Sequence, residues 1–327
     1  MKCHRWGLVL LALAGSSAGA AERYRDAAGR IRIGLVKMPY RGERNLPELS
    51  SVPDYLEEGG LARQLEQLRC RLKPIETVRL TPEQQREYGI WHRLGLANGQ
   101  LARLIAANEK EGYFSVGLLA NCSSLMGMLA GLQHSSASGK PLRVGLLFID
   151  AHGDFNTPET TLSGMLGGMP VAVSAGLCLT NLRLKSGLEP ALPTRYIVLA
   201  GVRDTDPLEQ ELLDRSEIQL LSVDDLRAPG EKLKREMKRL SELTDIIYVH
   251  VDMDVLDPAE VSGHPLTVPN GPTSRELAAA ISEMFRYQKA AAFGVASTPA
   301  GENDKGGLSL KAAYNLIAGA IEGVSRR

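Results

Sequence analysis

Five side chains in two short runs are the residues of this sequence best placed to do chemistry. Asp150, His152 and Asp154 alternate along Asp150-Ala151-His152-Gly153-Asp154, and far downstream Asp252 and Asp254 flank Met253. Each run follows apolar, β-branched sequence, Val144 to Ile149 in the first case and Ile246 to Val251 in the second, which reads as two buried strands. Side chains two apart on a strand share a face, so two adjacent strand ends would bring four carboxylates and one imidazole together. Carboxylates so crowded repel one another unless cations neutralise them. A pair of divalent metals does this, and an oxygen-rich set with one imidazole suits Mn(II) better than a thiolate-seeking ion. The competing reading, ordinary strand-end acids that cap helices and close turns, explains neither repeated spacing.

The elements that must position these groups are legible as alternation. Apolar runs at Ile31 to Met38, Phe114 to Ala120, Val144 to Ile149, Tyr196 to Gly201, Ile218 to Ser222, Ile246 to Val251 and Ala291 to Ala296 read as strands, most of them separated by helical stretches. Thr81-Pro82-Glu83 opens one helix with a cap and a proline in its first turn, Thr273 to Glu276 forms a capping box for another, and Ser309 begins an alanine-rich final helix. Strands without polar alternation, interleaved with helices, imply an α/β fold with a mostly parallel sheet covered on both faces. Ligands gather at the carboxyl ends of such strands, where both acid clusters fall.

With 327 residues and 44% hydrophobic content, the chain can bury one large α/β core, and a single domain over residues 21–327 suffices. Thirty-eight basic residues balance thirty-eight acidic ones with no basic run, so nothing favours nucleic acid or an anionic membrane as partner, and a small molecule is the expected ligand. Residues 1–20 have the outline of a secretory signal peptide. Lys2 and Arg5 precede an apolar stretch from Trp6 to Ala14, and Ala18 and Ala20 fit a cleavage site. The expectation is a periplasmic or secreted protein, against a misassigned start on a cytoplasmic one. Removing that segment would leave Cys70, Cys122 and Cys178, an odd set that is no disulfide framework.

At these residues the chain resembles the ureohydrolase family of arginases, agmatinases and formimidoylglutamases. The blocks V-G-L-L-F-I-D-A-H-G-D-F-N-T-P, T-T-L-S-G, G-V-R-D-T-D-P-L-E and V-D-M-D-V-L-D-P follow in the family's order. The resemblance implies a three-layer α/β/α sandwich with a binuclear manganese site, two ions per chain, and assembly into a homo-oligomer. It makes Asp150, Asp154 and Asp252 shared or first-metal ligands, and His152 and Asp254 ligands of the second metal. Hydroxide generated between the ions attacks a guanidinium or formimidoyl carbon, and Asp154 carries the proton from the nucleophile towards the leaving nitrogen. Asn156, Ser163 and Asp206 fall where arginases hold the amino-acid end of the substrate; each also has a purely structural reading, as a loop anchor or helix start.

The chain departs from the family pattern at the site itself. Where the family reads G-G-D-H-S, this sequence reads Leu119-Ala120-Asn121-Cys122-Ser123, which puts Cys122 at the first metal-binding histidine. A thiolate there would shift preference towards zinc or iron, and the helix expected to start at Ser123 would favour that thiolate; a protonated thiol would weaken the first metal and favour a site with one ion. Gly167 replaces a histidine implicated in proton transfer, and Ala296 replaces the glutamate that receives the guanidinium, which makes arginine itself a doubtful substrate. His250 and His264 are candidate proton relays, and Glu159 is a candidate counter-charge. Two functions stand against each other: a divergent metallohydrolase that cleaves a non-peptide C–N bond of a small guanidino, amidino or related substrate, and a catalytically inert relative that binds a metal or an amino-acid-like ligand.

Overall fold

The computed structural model describes residues 23–327, so the expected signal peptide at 1–20 lies outside the described residues. Nine strands form one sheet: β1 (Ile31–Met38), β2 (Cys70–Leu72), β3 (Glu76–Thr77), β4 (Phe114–Leu119), β5 (Val144–Ile149), β6 (Ile197–Ala200), β7 (Gln219–Leu221), β8 (Ile246–Asp252) and β9 (Ala290–Ala296). Their order across the sheet is β2-β1-β4-β9-β8-β5-β6-β7, with β3 also paired to β1, and every pairing is parallel. Every residue of β4, β5, β8 and β9 is buried, which is why those segments carry continuous apolar runs.

Helices cover both faces. One layer holds α1 (Ile90–Glu111) and α2 (Leu125–Gln133), which pack on each other and on β1, β4, β5 and β8. After β6 comes the short α3 (Pro207–Asp214); the opposite layer holds α4 (Glu231–Leu243), α5 (Ser274–Met284) and α6 (Leu308–Ser325), packed on β5, β7, β8, β9 and β1. The Thr273 box is present: its hydroxyl accepts from Glu276 N at 3.3 Å, and the Glu276 carboxylate accepts from Thr273 N at 2.8 Å. The seven strands read from the sequence are all found, with ends shifted by at most a residue or two. Missed were β2 and β3, two short pieces at the sheet edge whose half-exposed residues carry no apolar run. Among the described residues no helix is long and apolar enough to cross a membrane.

The register of the central strands sets the site. His250 lies beside Gly294, and Asp252 beside Ala296, while Ile149 lies beside Val251. The carboxyl ends of β4, β9, β8, β5 and β6 therefore form one continuous rim. Past the end of β5 and β6, His152 and Asp204 make a further parallel bridge that carries the pairing into the loops.

Candidate metal centre

Above that rim lies a cavity of about 750 Å³, with Asp150, His152, Asp154, Asp252 and Asp254 in its lining. Three overlapping donor groups stand there, in each of which the ligand atoms lie within 4.8 Å of one another: Cys122, Asp150 and Asp252; Asp150, His152 and Asp254; Asp252, Asp254 and His264. Asp150 joins the first two groups and Asp252 the first and third. Asp154 lines the same cavity and belongs to none of the three. The strand has ended by then, and Asp154 adopts a left-handed backbone (φ 47°), which turns it out of the alternation assumed from its spacing.

Local chemistry aims each donor. Asp150 Oδ1 accepts from His152 N at 2.8 Å, Asp252 Oδ1 accepts from Asp254 N at 3.0 Å, and Asp254 Oδ1 accepts from Ala151 N at 3.2 Å, so each strand end folds back on its own carboxylate and the two ends lock together. The His152 Nδ1 faces inward, 3.1 Å from Asp254 Oδ2 and 3.4 Å from Asp150 Oδ1, with its Nε2 3.9 Å from Asp204 Oδ2. An outward carboxylate on the second ring nitrogen is the arrangement that orients a metal-binding imidazole. Glu209, on the first turn of α3, accepts from Phe155 N at 2.8 Å and Asp206 N at 3.2 Å. Its Oε1 would lie 2.6 Å from a Cβ at position 153, so Gly153 lets this brace approach the acid loop.

The electrostatics record a cluster short of positive charge. Burial, and then the charge of Asp254, holds the carboxyls of Asp150 and Asp252 above their ordinary range; burial and then Asp252 do the same to Asp154. Asp254 goes the other way: burial raises it, but the hydrogen bond and charge of His152 outweigh that and leave it low. Burial disfavours the His152 imidazolium, yet its bonds to Asp150 and Asp254 push it up to about 12. No lysine or arginine among the described residues comes within 4 Å of these four carboxylates. Arg203 reaches only the backbone of Asp254, at 3.4 Å, and turns the rest of its guanidinium to the carbonyls of Gly201, Val255, Val268 and Pro269.

Cys122 sits at the end of β4, buried, with Sγ 2.8 Å from Asp252 Oδ2 and 3.8 Å from Asp150 Oδ2. Burial, followed by Asp252, Asp154 and Asp150, drives its thiol well above the usual value. The helix expected at Ser123 begins at Leu125, after one tight turn over Cys122–Ser124, and the three adjacent acids work against the thiolate that this helix end would favour. Behind the thiol, His250 Nε2 approaches Sγ at 3.3 Å, and Nδ1 meets the Tyr248 hydroxyl at 2.8 Å. All three are sealed from solvent, so the Tyr248 hydroxyl donates to its one partner, Nδ1, which leaves the His250 proton on Nε2 pointing at sulfur. Burial pulls this imidazole down to about 3, and it stacks on Phe148 with ring centroids 5.0 Å apart. His250 thus supports Cys122 from behind and has no place in the cavity lining, which removes it as a relay to a substrate.

His264 does line the cavity, with Nε2 3.7 Å from Asp252 Oδ1. Leu266 N donates to its Nδ1 at 3.2 Å, so the neutral ring carries its proton on Nε2 and faces the acids as a donor. Asn156, Ser163 and Asp206 all line the cavity as well. Asp206 Oδ2 accepts from Asn156 Nδ2 at 3.2 Å and Leu162 N at 3.0 Å, and Ser163 Oγ accepts from Met165 N at 3.2 Å, so the loop-anchoring reading holds for each. Glu159 is exposed on the turn after Thr157 and outside the lining, which corrects its expected role as counter-charge. Ala296 is buried beside Asp252; the next residue, Ser297, holds a left-handed backbone (φ 59°) and sends Oγ to Asp252 Oδ2 at 2.6 Å. Ser297, Glu209, Asp204 and Glu43 are site residues that sequence reasoning missed. Ser297 and Asp204 follow strand ends, a position that could have flagged them.

Comparison with known proteins places this geometry in a class: residues 90–319 match the model of the arginase family, and the chain belongs to that family. The arginase of Bacillus caldovelox is 28% identical over 244 residues, covering 72% of this chain and 80% of its own. Human mitochondrial arginase-2 is 28% identical over 263 residues, 75% of this chain and 71% of its own. Among solved structures, the Entamoeba histolytica arginase in complex with L-ornithine superposes with a TM-score of 0.74 at 24% identity, over 88% of this chain and 98% of that one. The formimidoylglutamase of Bacillus subtilis does so with a TM-score of 0.67 at 16% identity, over 90% and 87%. These likenesses carry the three-layer α/β/α fold expected from the sequence.

Proposed function

We propose that this protein is a metal-dependent hydrolase cleaving a non-peptide C–N bond in a small guanidino, amidino or related amino-acid-like compound. One observation carries the reading: Asp150, Asp252 and Asp254, all buried, crowd their oxygens within overlapping groups 4.8 Å across, and among the described residues the basic side chains that reach their carboxylates are the imidazoles of His152 and His264. That donor set fits two divalent ions, which Asp150, His152, Asp252 and Asp254 would hold. Its hard oxygens suit manganese, and Cys122 adds one softer position open to zinc or iron. Ions bound there supply a Lewis acid and make hydroxide available near neutral pH.

The chain's own residues supply the rest. His152 would lose its proton to present Nδ1, with the Asp204 carboxylate 3.9 Å from its Nε2. Asp154, in the cavity yet outside the donor groups, is placed to take a proton on its carboxylate and return it to the leaving nitrogen. His264 donates from Nε2 across the Asp252 side of the cavity. Asn156 and Asp206 fix the loop that walls the substrate in. The test is to load purified protein with manganese or zinc, measure metal per chain, and assay urea and ammonia release from a panel of guanidino, amidino and formimidoyl compounds. Two equivalents with turnover support the proposal. One or no equivalent, with tight ligand binding and no product, overturns it in favour of a binding protein.

A further inference from the structure

Glu43 stands on the loop after β1 and lines the cavity away from the donor groups, although its residue is only 9% exposed. Its Oε2 accepts from Asn121 Nδ2 at 2.8 Å; burial outweighs this bond and the more distant charge of Arg41, and leaves its carboxyl above the ordinary range. No cation pairs with it among the described residues. Arg41 turns its Nε to the Pro47 carbonyl at 2.8 Å, and the Arg44 guanidinium lies 5.9 Å from the Trp91 ring centroid. The other oxygen, Oε1, lies close to Gly167: a Cβ there would stand 3.2 Å from it, so any side chain at 167 would crowd the carboxylate.

We propose that Glu43 is the specificity-determining counter-charge for a positively charged substrate, pairing with its guanidinium or ammonium nitrogen. The inference rests on the hydrolase reading of the cavity and names its substrate class as cationic. Once the floor acids hold divalent ions, the floor no longer attracts a cation. Of the wall carboxylates, Asp206 and Glu209 are taken up by loop hydrogen bonds and Asp204 stands beside His152, whereas Glu43 is buried with one hydrogen bond and no ion-pair partner among the described residues. A planar cation donating two N–H groups satisfies Oε1 and relieves that imbalance, whereas a neutral ureido group of the same shape does not.

The test is calorimetric titration of manganese-loaded protein with two matched pairs: L-arginine against L-citrulline, and agmatine against N-carbamoylputrescine. Wild type is expected to bind the cationic member of at least one pair about tenfold more tightly than its neutral twin. Glu43→Gln keeps the shape and an oxygen for Asn121, and should weaken cation binding about tenfold while leaving the neutral twin unchanged, so that the preference disappears. Glu43→Asp, which retains charge on a shorter stem, should fall between. Metal content and melting curves equal to wild type establish that the variants fold. No charge preference in wild type, or full preference retained in Glu43→Gln, overturns the proposal. Charge-selective binding that needs Glu43, without turnover of any compound, would sink the hydrolase reading alone; turnover and binding of cations unaffected by Glu43→Gln would sink this one alone.

Discussion

Removing one acid from the floor should stabilise the metal-free protein while abolishing its response to metal. Asp252 is the acid to change, because it belongs to two donor groups and has both Asp150 and Asp254 within 4.8 Å. Two like unit charges at that distance repel by about 3.5 kcal/mol in an effective dielectric near 20. Protonation already relieves part of this, as the raised carboxyls of Asp150 and Asp252 show, so Asp252→Asn removes about one pair's worth, ~3 kcal/mol. Asparagine keeps one oxygen for Ser297 and Cys122 but turns its amide nitrogen to the Asp254 N–H that Oδ1 had accepted from, and the lost bond with the weaker acceptor costs about 2 kcal/mol. The net gain of ~1 kcal/mol corresponds to a melting point about 2 °C higher in a chain of this size.

The pH dependence has a definite sign. Burial and Asp254 raise the folded-state carboxyl of Asp252 above its unfolded value, so native protein binds more protons than unfolded chain between the two values. Metal-free wild type therefore gains stability as pH falls from neutral towards the ordinary carboxylate range, and the advantage of Asp252→Asn should shrink over that window. Scanning calorimetry of chelator-treated proteins between pH 7.5 and the carboxylate range, with and without added manganese, measures all of this. A metal-free variant melting below metal-free wild type at pH 7.5 would refute the reasoning, and so would equal stabilisation of both by manganese.

Cys122→His should tighten manganese binding and weaken the relative preference for zinc, read by competition titration against a metal indicator; an unchanged titration would put Sγ outside the coordination sphere. Tyr248→Phe removes the hydroxyl that fixes the His250 proton towards Cys122, and metal affinity should drop by roughly 10–100-fold with the fold intact, checked by the same titration. Gly294→Ala places a Cβ 2.0 Å from the Tyr248 hydroxyl in the middle of the sheet, and should cost about 3 kcal/mol in urea unfolding together with the Tyr248→Phe defect in metal binding.

The frame of this molecule is written plainly in its sequence because its central strands are buried on both faces: β4, β5, β8 and β9 carry no polar residue to blur their limits except Ser115, His250 and the terminal Asp252. The capping box at Thr273 and the clustering of acids at strand ends follow from equally local rules. What escaped depends on contacts between segments. His250 and Asp252 share a strand face, yet Cys122 from β4 lies between the histidine and the cavity, and only strand order reveals that. At Cys122 a helix end that would favour a thiolate meets three carboxylates from other segments, a contact that no local rule reveals. Glu43 carries no motif: it matters because the fold sets it in the cavity wall beside Asn121 and Gly167, both remote in sequence.

Floor and wall of this cavity are built from different material. The floor is anchored in the hydrogen-bonded ends of adjacent strands, so a change there disturbs the sheet; Glu43, Ser163, Met165 and Leu266 project from connecting segments whose replacement leaves the sheet untouched. Ligand choice can therefore drift, or be redirected by an engineer, through exchange of a few loop residues on a reaction platform that stays fixed.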